Sequence, residues 1–351
     1  MIDVTNPQAH AWWMEKHVAF ARRWDISAIK LDRGEEYVSA EPGDVFADGR
    51  SGVEVRNEFP VLKLRLYHDA LRAARGDGDF VVAARAVYAG ARSWGVVWGG
   101  DAPGSTALGA GPGTDLGLRG AIIMQQRAAF LGFPFWGSDT GGYYQFKQRD
   151  VFARWLQFSA FCPLMEIGGR GSHAPWNMPT EPTYDAEMIA IYRRYVQLHH
   201  DLIPYTMRHA EEAARSGLPI ARPLVFAWPD DANVRDRWDE YLYGDDRLVA
   251  PLWQNGARAR EVYLPAGDWE DCWDRSRTFT GPLTITVDAP LDVIPVFVRA
   301  GAAVPGRPDQ RRNANVTTVA AVARRPGGMY PRRARPRCRA GARVHQGSHR
   351  R

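Results

Sequence analysis

The sequence predicts an α/β fold in which a partial (β/α)8 barrel is followed by a small antiparallel β-sandwich domain. Over residues 1–217, short apolar runs alternate with amphipathic stretches, a pattern typical of parallel strands joined by right-handed helical crossovers. From residue 218 to about residue 300, short β-rich runs are separated by Gly, Pro and Asp turns, which indicates an antiparallel sheet.

The first region begins with a predicted helix from Pro7 to about Phe20, and the segment SAIKL is a predicted strand that ends at Asp32. Four further strands follow, so this part of a TIM barrel has five strands, fewer than the eight that close one. The remaining predicted elements are helix Pro60–Arg75, strand Phe80–Ala84, strand Val96–Trp98, helix Asp115–Leu131, strand Phe133–Trp136, helix Val151–Phe161 and strand Pro163–Ile167.

Two more helices are predicted near Asp185–Tyr205 and Thr206–Ser216. The β-rich runs ARPLVFAW, RLVAPLW, REVYLP, LTITVDA and VIPVFVRA come after them. We therefore expect a barrel catalytic domain at residues 1–217, a sheet domain at residues 218–300 and a tail at residues 301–351.

The tail carries most of the positive charge. Residues 301–351 contain 13 Arg and one acid, a local charge of +12, and the whole chain is at +5, which leaves about −7 for residues 1–300. The tail is interpreted as disordered, with a non-native extension of an interrupted reading frame as its favoured origin. A nucleic-acid-binding arm is the alternative, but no folded module or aromatic pattern accompanies the arginines, so no nucleic-acid partner is expected.

Composition excludes several other classes of protein. The three cysteines, Cys162, Cys272 and Cys338, show no metal-ligand or disulfide spacing. No stretch approaches the length of a membrane span, and no signal-like segment begins the chain, so a cytoplasmic protein without a membrane partner is expected. The 13 Trp, together with many Tyr and Phe, favour a carbohydrate partner, although core packing explains most such residues.

Two carboxylates follow predicted strands and are the candidate catalytic pair. Asp32 in AIKLDRGEE and Asp101 in VVWGGD are each the first carboxylate after an apolar run. Residues at the carboxyl ends of barrel strands meet at one mouth, and a facing pair of carboxylates is what cleavage of a glycosidic bond requires. Turn aspartates are the alternative interpretation of both residues.

The chain resembles glycoside hydrolase family 31, the α-glucosidases and α-xylosidases, from about Asp3 to Ala300. The motifs that carry the resemblance are IDVTNPQAHAWW, IKLDRGEE, the AAR that ends at Arg85, VVWGGD, GFPFWGSDTGGYY, ARWLQFSAFCPLM, the pair Pro175-Trp176, and IPVFVRAG. The resemblance implies that Asp32 is the nucleophile and Asp101 the acid/base of a retaining hydrolase acting on α-glucosides or α-xylosides. No metal or organic cofactor is implied.

The resemblance also implies binding roles. Arg85 would contact substrate and a catalytic carboxylate, Asp139 would accept hydrogen bonds from sugar hydroxyls, and aromatic residues would wall the pocket, with core packing as the alternative for Trp136. Glu35 and Glu36 are candidate orienting or solvated loop acids rather than catalysts, and Arg154 is expected to anchor its helix to the barrel. The candidate substrate-binding residues are Arg85, Trp98, Trp136, Asp139, Tyr143, Glu35 and His173.

The chain departs from the family pattern in two ways. The segment LMEIGGRGSHAPW has glycine where many members have a pocket histidine, so Glu166 and His173 are the candidate substitutes, and a surface position is the alternative for His173. The family's N-terminal sandwich and first three barrel strands have no counterpart. Because a barrel cut in this way exposes strand edges, the isolated chain is expected to fold poorly or to be inactive. A carbohydrate-binding protein without catalysis is the remaining alternative.

Overall fold

The computed structural model describes residues 2–36, 38, 43–104, 117–143, 149–168 and 185–302. Five short parallel strands form the first sheet, in the order β1-β2-β3-β4-β5. Chain order and sheet order are the same, as right-handed crossovers between parallel strands require. The strands are β1 (Ala28–Leu31), β2 (Val81–Ala84), β3 (Val96–Trp98), β4 (Trp136–Asp139) and β5 (Leu164–Glu166).

Seven α-helices accompany the strands in the described part of the chain. Asn6 caps α1, because its side chain accepts hydrogen bonds from the backbone amides of Gln8 and Ala9, and Pro7 suits the first turn. The helices are α1 (Pro7–Trp24), α2 (Gly52–Val55), α3 (Phe59–Arg75), α4 (Leu118–Phe130), α5 (Arg149–Ser159), α6 (Ala186–Asp201) and α7 (Ile203–Ser216). Together with the parallel sheet they confirm the predicted partial barrel.

The second sheet is antiparallel and six-stranded, in the order β10-β9-β11-β8-β7-β6. A β-bulge between Gly281 and Leu283 interrupts the pairing of its two long strands. The strands are β6 (Ala221–Pro223), β7 (Tyr241–Tyr243), β8 (Arg247–Val249), β9 (Ala259–Asp271), β10 (Thr278–Asp288) and β11 (Val296–Arg299). The predicted boundary at residues 217/218 stays a prediction, and the tail prediction for residues 301–351 lies, after Ala302, outside the described residues.

Two hydrophobic clusters organise these layers. The larger one joins the parallel sheet to its helices, with fully buried Trp155 and Phe158 on α5, and it extends into the antiparallel sheet through Tyr241 and Tyr243. The smaller one lies within the antiparallel sheet around Trp269. No helix in the described part of the chain is long and apolar enough to cross a membrane.

Candidate active site

Charged side chains collect at the carboxyl ends of the parallel strands. Asp32 directly follows β1, Arg85 directly follows β2, and Asp101 lies three residues beyond β3. Asp139 and Glu166 are the last residues of β4 and β5. Since the strands are parallel, all five residues lie on one rim of the sheet, the rim that carries the active site in barrel enzymes.

The guanidinium of Arg85 holds four carboxylates together. Its Nη1 lies 2.8 Å from Asp32 Oδ1 and 3.8 Å from Asp101 Oδ1, and its Nη2 lies 2.6 Å from Glu35 Oε1 and 3.3 Å from Glu36 Oε1. Burial acts to raise the pKa of Glu36, but hydrogen bonds from backbone amides and the charge of Arg85 lower it below its ordinary value. Arg85 therefore offsets the mutual repulsion of the carboxylates.

The backbone beneath Asp32 is fixed from α3. Lys63 Nζ donates hydrogen bonds to the carbonyl oxygens of Asp32, at 2.9 Å, and Arg33, at 3.1 Å. The chain turns there with Arg33 at φ 62° and Gly34 at φ 135°, and the second value is one that favours glycine. Burial lowers the pKa of Lys63, and the charges of nearby carboxylates oppose this shift only in part. This turn directs the side chains of Asp32 and Glu35 towards Arg85.

A second charged group lies one layer deeper. Lys30 Nζ on β1 is 2.9 Å from Asp139 Oδ1, 3.1 Å from Glu166 Oε1 and 3.7 Å from the ring centroid of Trp98. In a flat sheet, β1 and β4 would be about 14 Å apart, or three strand spacings. A lysine side chain cannot span that distance, so the sheet curves as part of a barrel does. We call Lys30, Asp139 and Glu166 the floor triad.

The pKa values of the floor triad reflect two carboxylates that share one ammonium. Burial raises the pKa of Glu166, and the charge of Asp139 raises it further, while Lys30 lowers it only in part. Burial acts to lower the pKa of Lys30, but Asp139 and Glu166 outweigh it, so that pKa is raised. Asp139 is almost completely buried, at 1% exposure of its side chain, so it depends on Lys30 for compensation of its charge.

Glu166 is expected to make the protein less stable as pH rises above about 4.5. An acid whose pKa is raised on folding stabilises the folded state below its unfolded pKa, and this contribution is lost as pH rises through the folded value. The Glu166→Gln variant should therefore show a flatter pH dependence of the free energy of unfolding above pH 4.5. Urea titrations at several pH values measure this, with the exposed Glu15→Gln as control. An unchanged pH slope in Glu166→Gln would contradict the prediction.

Two parts of the chain match descriptions of known protein domains. Residues 1–209 match the family description "Glycosyl hydrolases family 31 TIM-barrel domain", and residues 217–304 match "Glycosyl hydrolase family 31 C-terminal domain". The chain belongs to glycoside hydrolase family 31. The two matches cover the parallel barrel sheet and the antiparallel sheet, so sequence family and fold agree.

Individual family 31 proteins resemble this chain over most of its length. The 1,3-alpha-isomaltosidase of Kribbella flavida is 31% identical over 86% of this chain and 40% of that protein. The alpha-xylosidase of Saccharolobus solfataricus is 30% identical over 75% of this chain and 35% of that protein. A solved family 31 sulfoquinovosidase from E. rectale, in complex with an aza-sugar inhibitor, matches with TM-score 0.77 and 29% identity over 86% of this chain and 44% of that one. The chain thus spans about two fifths of these relatives.

The aromatic residues predicted from the family 31 resemblance have different surroundings. Trp98 is buried against Lys30, and its Nε1 donates to the carbonyl oxygen of Leu31 at 3.3 Å. Trp136 is also buried, and it packs near Phe158 of α5 with ring centroids 6.5 Å apart. Tyr143 is half-buried, and its backbone amide donates to the carbonyl oxygen of Ala102 at 2.6 Å, which ties the segment after β4 to the Asp101 loop.

Of the two candidate substitutes for the family 31 pocket histidine, Glu166 lies in the site and His173 lies outside the described residues. Glu166 pairs in register with Asp139 on the neighbouring strand, so both side chains are on the same face of the sheet. At Gly168 an added Cβ would be 2.7 Å from Asp139 Oδ1, so a larger side chain there would displace the floor triad.

Sequence reasoning missed Lys30. It lies two residues before Asp32, and side chains two apart along a strand share a face, so the alternation could have placed Lys30 beneath the predicted nucleophile. Its partners on β4 and β5 are more than 100 residues away in the chain, and only the curvature of the sheet brings them within reach.

One cluster elsewhere has the composition of a metal site. The potential ligand atoms of His209, Glu212 and Asp245 lie within 4.8 Å of one another. However, Arg222 is inserted among them, with Nη1 2.5 Å from Asp245 Oδ1 and Nη2 3.6 Å from Glu212 Oε2. The guanidinium already supplies the positive charge that these carboxylates require, which makes a cation unfavourable there.

Proposed function

We propose that the site performs retaining hydrolysis of α-glycosidic bonds, with Asp32 as the nucleophile and Asp101 as the acid/base. The observation that carries the proposal is the position of Arg85 Nη1, which is close to one oxygen of each carboxylate. No more than the sum of those two distances, 6.6 Å, can separate the two oxygens. Retaining enzymes need about 5–5.5 Å between their carboxyl groups, and this limit allows that separation. Inverting enzymes have about 6.5–9.5 Å, nearly all of which lies beyond the limit.

The chemistry proceeds in two displacements. An oxygen of ionised Asp32 attacks the anomeric carbon while the bond to the leaving oxygen breaks, and protonated Asp101 gives its proton to that oxygen. Asp101 then takes a proton from water, whose oxygen attacks the same carbon and releases Asp32. Two inversions give net retention. A sugar hydroxyl in place of water would give transfer, so hydrolysis and transglycosylation share the intermediate.

The glycone would be bound by residues around this pair. Asp139 would accept hydrogen bonds from sugar hydroxyls, and Trp98 and Tyr143 would provide apolar walls. Glu35 would act through its 2.6 Å contact with Arg85, and His173 is proposed as a further sugar contact. We propose an α-glucoside or α-xyloside as the substrate, because relatives of the chain include an alpha-xylosidase and an alpha-glucosidase.

A single turnover is enough to test the nucleophile. We expect a 2-deoxy-2-fluoro or 5-fluoro α-glycosyl fluoride to label the protein covalently, because the fluorine slows hydrolysis of the glycosyl-enzyme more than it prevents its formation. Mass spectrometry of a proteolytic digest should place the added mass on Asp32, and the Asp32→Asn variant should stay unlabelled. Label on Glu35 or Glu36, or none on a folded protein, would overturn the assignment.

A carbohydrate-binding role without turnover is the second candidate. It is favoured by the exposure of the Asp32 side chain, 56%. A nucleophile so open to water has less of the low-dielectric surroundings that strengthen catalysis. Sugar binding that survives in Asp32→Asn, with no turnover of an activated aryl glycoside by the unmodified chain, would favour this candidate.

A further inference from the structure

Lys63 connects α3 to the turn that carries Asp32. Its ammonium donates to two consecutive carbonyl oxygens, those of Asp32 at 2.9 Å and of Arg33 at 3.1 Å. Hydrogen bonds from a charged donor are roughly twice as strong as those between neutral groups. The turn is therefore attached to the helix through its backbone, at the residue whose carboxylate is the proposed nucleophile.

The backbone of this turn has a conformation that requires outside contacts. Arg33 has φ 62°, in the left-handed region that is unfavourable for a residue with a Cβ atom, and Gly34 follows at φ 135°. Such a conformation persists only where the surrounding structure imposes it. Glu36 accepts a hydrogen bond from the amide of Gly34 at 3.3 Å, which closes the turn but does not attach it to α3. The contact of Lys63 with the carbonyl oxygen of Arg33 acts directly on the strained residue.

The position of the turn decides which carboxylate Arg85 holds. An aspartate side chain is short, so its carboxylate follows its backbone closely. Asp32 Oδ1 lies 2.8 Å from Arg85 Nη1, and Asp101 Oδ1 lies 3.8 Å from the same atom. Glu35 and Glu36 contact the other terminal nitrogen of Arg85. A shift of the turn would leave the guanidinium to the longer glutamate side chains and would change the distance between the two proposed catalytic carboxylates.

The surroundings of Lys63 differ from those of an ordinary surface lysine. Its side chain is half-buried and lines an apolar cavity of about 470 Å³, whose walls include Trp13, Phe59, Leu66 and Tyr67. An ammonium that is partly removed from water is unfavourable unless it is hydrogen-bonded. The two carbonyl oxygens supply hydrogen bonds to it, so the lysine and the turn stabilise each other's position.

We propose that Lys63 is a positioning residue for the nucleophile. Through the carbonyl oxygens of Asp32 and Arg33, it holds the Asp32 carboxylate at Arg85 in the geometry that attacks the anomeric carbon. Because it acts through Asp32, it sets the rate of the chemical step and not the affinity for the sugar. The inference rests on the proposed function, since it takes Asp32 as the nucleophile.

Replacement of Lys63 by methionine tests this role on the full chain, because methionine suits an apolar wall and cannot donate a hydrogen bond. We expect kcat/KM for an aryl α-glucoside to fall on the order of 100-fold, the scale on which a misplacement of about 1 Å acts. The Kd of methyl α-glucoside, measured by calorimetry, should stay unchanged. Lys63→Arg, which can donate to both carbonyl oxygens, should recover most of the loss.

The matched control is Lys16→Met, on the exposed face of α1, which should leave kcat/KM and Kd unchanged. Thermal melting verifies that each variant is folded at the assay temperature. A fall in affinity for methyl α-glucoside as large as the fall in kcat/KM would assign Lys63 to sugar binding and would overturn the inference.

Amide hydrogen exchange separates failure of the inference from failure of the proposed function, because it needs no turnover. In Lys63→Met, the peptide that contains residues 32–36 should exchange about 10-fold faster than in the parent chain, the change that loss of one charged hydrogen bond produces in a local opening equilibrium. Faster exchange with no turnover by any variant supports the positioning role and contradicts only the hydrolase proposal. Unchanged exchange, or an unchanged kcat/KM where the parent chain is active, overturns the inference alone.

Discussion

Replacement of Asp32 by asparagine is expected to lower kcat for aryl α-glycosides by a factor on the order of 10⁴ or more, the scale on which loss of a catalytic nucleophile acts. The amide keeps the shape of the side chain and can still lie near Arg85, but it cannot form the glycosyl-enzyme ester. Initial rates with 4-nitrophenyl α-glucoside and α-xyloside measure the effect.

Asp101 should show a different dependence on the leaving group. General acid catalysis is worth about 10²–10⁴-fold, and Asp101→Ala should lose that factor with a poor leaving group but little of it in the bond-breaking step with fluoride or dinitrophenolate. Asp25→Asn, at the exposed end of α1 with φ 52°, where asparagine is well tolerated, is the matched control. Equal losses with all leaving groups in Asp101→Ala would contradict its role as the acid.

Most helices and strands of the barrel could be predicted from local sequence patterns. The predictions that were wrong concern elements whose bounds depend on tertiary contacts. The run Val96–Trp98 was predicted with the bounds that β3 has. By contrast, the strand predicted at Phe133–Trp136 lies at Trp136–Asp139. The sequence Gly-Ser-Asp has low β propensity, and it is extended because Gly137 fits closely against Leu164 of β5, where an added Cβ would be 2.2 Å from a carbonyl oxygen.

Similar causes account for the other differences in the fold. The predicted helix Asp185–Tyr205 ends at Asp201, and α7 begins at Ile203, because Pro204 suits the first turn of a new helix and not the interior of an old one. The run ARPLVFAW is only partly a strand: β6 ends at Pro223, and a 3₁₀ turn follows. Strand β7, Tyr241–Tyr243, was not predicted.

In the site, residue types and order could be predicted, but their partners could not. Asp32, Arg85 and Asp101 each follow a strand, so their position on one rim follows from parallel strands alone. The sharing of Arg85 by four carboxylates and the reach of Lys30 to β4 and β5 depend on side-chain direction and sheet curvature. Those properties arise from long-range packing, which a single sequence does not express.

Arg154 connects the two sheets, and its role differs from the predicted one. It was expected to anchor α5 to the barrel, but its guanidinium donates instead to carbonyl oxygens of the antiparallel domain: Ala257 at 3.0 Å, Ala289 at 2.7 Å, Pro290 at 3.1 Å and Val293 at 2.6 Å. The prediction was wrong because the guanidinium, which has five N–H donors, contacts carbonyl oxygens of loops that lie far away in the sequence, and the local pattern around Arg154 does not reveal them.

Replacement of Arg154 by methionine is expected to lower the free energy of unfolding by about 1–3 kcal/mol, because the buried carbonyl group of Ala289 loses its donor at about that cost and three partly buried carbonyl groups lose theirs as well. Burial, together with Arg258, lowers the pKa of Arg154 to about 10, so it remains charged at neutral pH. Denaturant unfolding followed by tryptophan fluorescence measures the loss. Arg154→Lys keeps the positive charge but lacks the several donors of the guanidinium. Its free energy of unfolding should therefore lie between those of Arg154→Met and the parent chain.

An arginine-to-methionine substitution at an exposed position is the control for Arg154→Met, because it shows what the loss of an arginine costs where no contact between the two sheets is broken. Arg193 lies on the exposed face of α6, and Arg193→Met should change the free energy of unfolding by less than about 0.5 kcal/mol. Limited proteolysis of Arg154→Met should also release the antiparallel domain at concentrations of protease that leave the parent chain intact, because the contacts of Arg154 join α5 to the loops at residues 257 and 289–293. A loss below 1 kcal/mol in Arg154→Met, with unchanged proteolysis, would mean that apolar packing alone holds the two sheets together.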